Sequence, residues 1–364
     1  MPTWGQVGGE LQRLILDQQK AGTQPDPFAP SPYDVIRRKY LAELASYTGR
    51  PVIVYASAWL EGRPVPDPSL VSVSTRDVMG FMEVVKGLPR GPLDLILHSP
   101  GGDGDAARQI MSYLRSEGFD NIRAIVPIAA MSAATMMALS CDEILMGNHS
   151  QLGPIDPQFT LVTPDGPRFA PAQAILDQFD QAKVELAGTP SALNAWLPIL
   201  RSYAPGLLSQ CVTAQKLAEE MVATAMTDHM FSDLGSAAAK LQAEKIAAWF
   251  NEHKTHRSHG RPLTLEQVKA QKVRVLPLED DHALQDKVLS AWWGIQHSLT
   301  AVAVSKLIEN HTGSAWILRS QTGLVLLGPQ QGGPQQPPGA QPAPLSPAPR
   351  APSGNRQSRR HPNR

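Results

Sequence analysis

The spacing of apolar residues changes period twice between residues 93 and 140. Leu93, Leu95, Ile96 and Leu97 form a β-rich run that stops at Pro100-Gly101-Gly102, the pattern of a buried strand entering a tight glycine turn. After the turn the period becomes helical: Ala106, Ala107, Ile110, Met111 and Leu114 share one face, with Asp103 or Asp105 at the start and Gly118 at the stop. A second strand over Ile122 to Ile128 runs into Met131-Ser132-Ala133-Ala134. These small or flexible residues turn the chain into another helix, from Ala134 to Ser140.

The same reading extends outward. Residues 1 to 34 predict a polar amphipathic helix and a proline-rich link, PDPFAPSPYD. A helix over DVIRRKYLAELASYTG, a strand over PVIVYAS and a helix over STRDVMGFMEVVKGLP follow, the last with Val78, Phe81, Met82 and Val85 on one side. Downstream, FAPAQAILDQFDQAKVELAG places Ile175, Leu176, Phe179, Ala182 and Leu186 in one stripe. Residues 190 to 250 are mostly helical, with Pro205 in the first turn of a long helix carrying Leu207, Leu208, Cys211, Leu217, Met221 and Val222. One more helix, a short strand over Val273 to Leu278 and a final helix with Trp292 and Trp293 complete the ordered pattern, and no internal repeat is present. Beyond Gly328 the chain is rich in Pro, Gln and Gly with five arginines in its last fifteen residues, a composition that predicts a disordered, solvated tail.

Composition narrows the class. With 364 residues, 42% of them hydrophobic, the chain has material for one large α/β core with appendages. Lys and Arg number 33 and Asp and Glu 33, so no net charge favours nucleic acid. Cys141 and Cys211 provide no disulfide framework and read as buried thiols. The beginning of the chain lacks a basic region followed by an apolar block, and the apolar run from Ala124 to Leu139 is shorter than the roughly 20 residues of a spanning helix. A cytoplasmic chain with no membrane partner is the expectation.

Strand-turn-helix junctions carry chemistry because the N–H groups at a helix start are unpaired and point outward. Two of them beside one serine would hold a developing oxyanion. Glycine at 101 and 102 lets the backbone approach a substrate carbonyl, and Ala133 follows Ser132 with a second N–H. The bland reading of Ser132 is a small residue at a helix start.

SPGG, a serine in AMSAAT about thirty residues on, and then LGPIDPQ together resemble the Clp-protease/crotonase superfold, specifically the serine dehydrogenase proteinase family related to signal peptide peptidase A. The resemblance covers roughly residues 35 to 300. It implies an α/β fold with a core of repeated β-β-α units in a superhelix and an added helical layer. It also implies a peptidase-like hydrolase acting on peptide or protein substrates, with a serine nucleophile at Ser132 and an oxyanion hole at Gly102 and Ala133. Together with the helical layer after residue 190 it implies a homo-oligomer. The expected organisation is residues 1–34 as helix and link, 35–300 as catalytic domain, 301–327 as C-terminal extension and 328–364 as tail.

The base is less plainly written. Clp proteases carry a histidine in a histidine-glutamine-proline context after the strand that follows the serine; here Gly153-Pro154-Ile155-Asp156-Pro157 stands there, and His149 comes too early. Signal peptide peptidase A resembles a Ser-Lys dyad with its lysine about fifty residues beyond the serine, and Lys183 lies 51 positions after Ser132. Lys183 falls four after Phe179 and three before Leu186, so the spacing puts it on the apolar face, where desolvation favours the neutral, proton-accepting form. The competing reading is a snorkelling lysine or one paired with Asp180. Lys216, with Glu220 one turn later, reads as a solvated charge.

His98, at the strand end before the glycine turn, is the alternative base, set against a packed strand terminus. His253, His256 and His259 are spaced at i, i+3 and i+6 beside Lys254, Arg257 and Arg261, a weak pattern for zinc and better read as a polar loop. Asp156 either orients a base or caps a turn. No metal, dinucleotide or pyridoxal cofactor has an anchoring motif. Two alternatives stay open: a crotonase-type enzyme acting on acyl-CoA, for which only Glu143 is close to the turns, and a non-catalytic oligomeric scaffold of the same fold.

Overall fold

The computed structural model describes residues 3–20, 29–61, 67–163 and 166–319. Helices α1 (Trp4–Lys20) and α2 (Pro32–Thr48) lead into β1 (Val52–Ser57). There follow α3 (Asp77–Val84), β2 (Pro92–His98), α4 (Gly104–Ser116), β3 (Asn121–Val126), the short β4 (Ala129–Ala130), α5 (Ala133–Leu139), β5 (Glu143–Met146) and β6 (Gln151–Leu152). A hairpin of β7 (Gln158–Thr163) and β8 (Gly166–Pro171) precedes α6 (Ala172–Gly188), α7 (Leu193–Leu200), α8 (Leu207–Ala225), α9 (Ser236–Asn251) and α10 (His253–His256). The described chain closes with β9 (Leu263–Thr264), α11 (Leu265–Ala270), β10 (Val275–Pro277), α12 (His282–Ala301), β11 (Val304–Asn310) and β12 (Ala315–Arg319).

Seven strands form one sheet in the order β10-β5-β3-β2-β1-β11-β12, parallel from β10 to β1 and antiparallel thereafter. The strands β1 and β2 are apolar runs because helices cover both faces. Alternation decides which side chain meets which layer. Leu93, Leu95 and Leu97 of β2 join the cluster under α3, α4, α5, α8 and α9, whereas Ile96 joins the opposite cluster with α1, α2 and α12. A small second sheet of β4, β6 and β9 stands apart, and the β7–β8 hairpin pairs only with itself.

Local signals explain most elements. Asp103 caps α4 by accepting from the N–H groups of Asp105 and Ala106, and the five buried residues of α4 are Ala106, Ala107, Ile110, Met111 and Leu114. Helix α2 begins with a capping box between Ser31 and Asp34. In α3 the buried face is displaced from the expected one: Phe81, Val84 and the following Val85 are buried, but Met82 is exposed. The cause is Gly80, which faces Ile308 and Trp316, turning that side of the helix onto β11 and β12.

Residues 304–319, read from sequence as part of an extension beyond residue 300, enter the main sheet through the pairing of β11 with β1. α1 likewise buries Val7 and Leu11 against the α2–α12 layer. The residues of the proline-rich link at 21–28 and the C-terminal tail lie outside the described residues.

Candidate active site

The glycine turn after β2 and the serine turn after β4 are built into each other. Ser99 N–H donates to the Ala129 carbonyl at 3.1 Å, and Met131 N–H to the Ser99 carbonyl at 2.9 Å. On the far side Val73 N–H donates to the Gly101 carbonyl at 2.7 Å and Asp103 N–H to the Val73 carbonyl at 3.0 Å. Gly101 adopts φ +95°, and a Cβ there would lie 2.5 Å from both the Met131 carbonyl oxygen and the Ser132 Cβ. Gly102, at φ +149°, would place a Cβ 2.4 Å from the Val73 carbonyl oxygen. Both positions therefore demand glycine.

Ser132 sits at φ 50°, ψ −119°, a backbone conformation that a residue with a Cβ adopts only under constraint. Its side chain forms no cap for α5, so the hydroxyl is not consumed by the helix it precedes. Thr135 holds the elbow from beneath: its hydroxyl donates to the Ala130 carbonyl at 2.7 Å and accepts from Gly153 N–H at 2.9 Å. Among the described residues the N–H groups of Gly102 and Ala133 donate to no protein acceptor. A cavity of about 520 Å³ opens over these atoms, with Gly101, Gly102, Ser132 and Ala133 on one wall and Asp156 and His259 on another.

Ser132, Gly102 and Ala133 are thus gathered in one place. Lys183 is not among the residues lining the cavity. Its side chain is 61% exposed, and its ammonium pairs with Asp180 at 2.6 Å and sits 5.4 Å from the Phe179 ring centre. The expectation that it shares a desolvated face is corrected here, because α6 buries only Ala172, Ile175 and Ala182, a narrow seam with Lys183 one residue off it.

His98 also lies elsewhere. It has the parity of Ile96, facing the α12 layer, where its ring packs 4.5 Å from Trp292 and 5.8 Å from Trp59. Among the described residues neither ring nitrogen has a hydrogen-bond partner, and burial pushes its pKa down to about 3.

The three histidines read as a polar loop are instead folded inward. The His256 Nε2 lies 2.6 Å from the Trp249 carbonyl oxygen. His259 Nδ1 lies 2.7 Å from Asp156 Oδ1, and His253 Nδ1 lies 3.1 Å from Asp156 Oδ2. Gln158 Nε2 adds a third donor to the carboxylate, at Oδ2, at 3.0 Å. Since a carboxylate only accepts, both imidazoles present Nδ1–H to it. Asp156 itself is 2% exposed. No local pattern joins positions 156 and 259; the two prolines flanking the Ile155-Asp156 pair were the one hint that this carboxylate is held in place.

Glu143, the carboxylate that an acyl-CoA reading relied on, is at the start of β5, 3.9 Å from Arg123, and does not line the cavity. Among the described residues no helix is long and apolar enough to cross a membrane.

Part of the chain is similar to known proteins. Residues 77–185, under a third of the chain, match the family of ClpP-like SDH-type serine proteinases. An uncharacterised protein of Methanocaldococcus jannaschii is 36% identical over 127 residues, covering 34% of this chain and 43% of the relative. A second uncharacterised protein of that organism is 43% identical over 67 residues, covering 18% and 23%. The chain thus spans less than half the length of these curated relatives. Among solved structures, a mutant of the 1510-N membrane-bound stomatin-specific protease aligns with 59% of this chain and 79% of its own, at 13% identity and a TM-score of 0.32. Residues 77–185, the segment similar to the ClpP-like SDH-type serine proteinases, are those that build the glycine turn, the serine elbow and the Asp156 segment.

Proposed function

We propose that the protein is a serine-type hydrolase that cleaves peptide bonds through an acyl-enzyme on Ser132, with the N–H groups of Gly102 and Ala133 receiving the oxyanion. The observation that carries this reading is the strained Ser132 elbow: a hydroxyl free of capping duty, flanked in one cavity by two backbone donors that have no protein partner among the described residues. Preorganised donors of this kind contribute on the order of 3–4 kcal/mol each to the transition state of acyl transfer. Ile155, Phe169, Leu217 and Met221 add apolar surface to the cavity, as a groove for peptide side chains would require.

A Ser-Lys dyad through Lys183 requires the ammonium to leave Asp180 and reach Ser132. The acyl-CoA alternative is disfavoured because its candidate Glu143 does not line the cavity, and the scaffold alternative leaves the strained serine without a purpose. Assembly into a homo-oligomer is part of the same proposal, supported by the exposed apolar side chains of Val162, Phe169 and Val184 around the β7–β8 hairpin and α6.

The test is labelling of purified full-length protein with a fluorophosphonate probe, with mass spectrometry to locate the adduct. An adduct on Ser132, absent from Ser132→Ala, is the expected outcome. A folded protein that takes no label at Ser132 refutes the hydrolase reading and leaves the scaffold.

A further inference from the structure

Beside the Ser132 cavity lies a second, smaller one of about 250 Å³, framed by α4, α5 and α8. Met136 and Met221 line both, so the two spaces share a wall of unbranched, adaptable side chains. Their charge differs. Asp103, Asp105 and Asp156 stand in the first, whereas Arg108, Arg115 and His229 line the second and, among the described residues, no carboxylate does.

This second cavity is built rather than incidental. Arg108, Ser112 and Arg115 recur at i, i+4 and i+7 and so share one face of α4. The Arg115 guanidinium is fixed in place: Nη1 donates to the Asp120 carbonyl at 2.9 Å, and Nη2 donates to the Ser140 carbonyl at 3.2 Å and to the Asp142 carboxylate at 2.9 Å. Among the described residues its Nε is buried and has no hydrogen-bond partner. Such orphans are rare, because a buried donor gives up hydration and receives nothing in return. Arg108 is 61% exposed and meets Asp105 only at 3.4 Å, a surface pair of little worth that an incoming anion can displace. His229 arrives on a π turn, Met226–Met230, at the end of α8, and turns of that kind occur mostly at functional sites.

We infer that this cavity is a substrate subsite, taking a carboxylate that the cleaved peptide carries two to four residues from the scissile bond; this rests on the hydrolase reading and deepens it. The separation follows from α5. Met136 lies four residues past Ser132 and Ser140 eight, which at 1.5 Å per residue is about 6 and 12 Å along the helix. An extended peptide advances about 3.3 Å per residue, so a group two to four residues from the reacting carbonyl spans that distance. A carboxylate is the anion a peptide carries, and the planar fork of Arg108 matches it with two parallel donors. The carboxylate belongs either to an Asp or Glu side chain or to the end of the peptide itself.

The experiment measures how well peptides protect Ser132 from fluorophosphonate labelling in the full chain. Three pools of acetylated, randomised octapeptides are used, all made without Asp or Glu at their random positions. One is amidated, one ends in a free carboxylate, and one is amidated with a single Glu at a varied position. At least one of the latter two should protect at a concentration about 10- to 100-fold lower than the first, the scale of a hydrogen bond to a charged group. Protection by the free-ended pool assigns the subsite to a chain terminus, and protection by the Glu pool assigns it to a side chain. The ratio of protecting concentrations is compared within each variant, so a change in the labelling rate itself does not enter. That ratio should fall to near one in Arg108→Glu and fall in part in His229→Gln. It should persist in Lys86→Glu, which makes the same change of charge on an exposed side chain outside both cavities. Acidic pools that protect no better than the amidated one, or an advantage that survives Arg108→Glu, overturn the subsite while Ser132 keeps its adduct. A wild type without any Ser132 adduct overturns the hydrolase reading and the subsite with it.

Discussion

Replacing Lys306 should unsettle the active site through the segment that carries Ser72 and Val73. Lys306 on β11 and Asp77 on α3 are both fully buried, and the ammonium lies 2.8 Å from each carboxylate oxygen. It also donates to the Ser72 carbonyl at 2.6 Å, while Asp77 accepts from the Tyr55 hydroxyl at 2.8 Å and from Ser74 N–H at 2.9 Å. Burial pushes the lysine's pKa down, and Asp77 acts against that shift. Lys306→Met would keep most of the volume but leave a carboxylate in the core with two neutral donors and no counter-charge. Breaking one partner of such a pair costs about 3–5 kcal/mol, a large part of the roughly 5–15 kcal/mol that holds a domain folded.

The loss should also reach the chemistry, because Ser72 lines the cavity and Val73 pins the glycine turn from outside. Urea unfolding followed by circular dichroism would measure the cost, and fluorophosphonate labelling below the transition would measure the loosening. Lys306→Met/Asp77→Leu, with no orphaned charge, should be more stable than Lys306→Met. A cost below about 1 kcal/mol, or a double variant whose cost is the simple sum of the singles, would refute the reasoning.

Three further outcomes are expected. Gly101→Ala forces a Cβ to 2.5 Å from Met131 and Ser132 at φ +95°, so Ser132 labelling should fall at least about tenfold in a protein that still folds, the backbone strain itself being of order 1–3 kcal/mol; unchanged labelling would show that the two turns do not need to nest. His98 is held neutral in the fold down to about pH 3 whereas an exposed histidine takes its proton near 6.5, so its contribution is complete above pH 6.5 and is lost as pH falls from there toward 3. Unfolding free energies at pH 8 and pH 5 should therefore differ by about 2 kcal/mol more in the wild type than in His98→Phe, and equal differences would contradict the burial. Burial pushes the Cys141 thiol up to about 12 and raises that of Cys211 as well, so a thiol-disulfide reagent at pH 8 should titrate no thiol in the native protein and both after denaturation.

How much of this was legible beforehand varies with the range of the interaction. Helix α4 and its cap, the strands β1, β2 and β3 and the serine turn followed from periodicity, since each is decided by residues within about ten positions of one another. Lys183 misled for an equally definite reason. A helical stripe assumes that the whole apolar side of a helix meets the body, but α6 touches it only at Ala172, Ile175 and Ala182. Met82 of α3 failed in the same way, through contact with β11 and β12 from more than two hundred residues away.

By itself, then, the sequence determined the two strand-turn-helix junctions, the requirement for glycine in the first and the serine that begins the second. Hydrophobic period and backbone conformational preference act over a few residues, and both are written locally. Only the tertiary structure decided which titratable groups share the cavity with that serine. Asp156 and His259 are 103 positions apart, and they meet because the segment after β6 and the turn after α10 are brought to one wall of the same cavity. A single buried carboxylate needs donors wherever in the chain they come from, and no period or spacing along the chain encodes that demand.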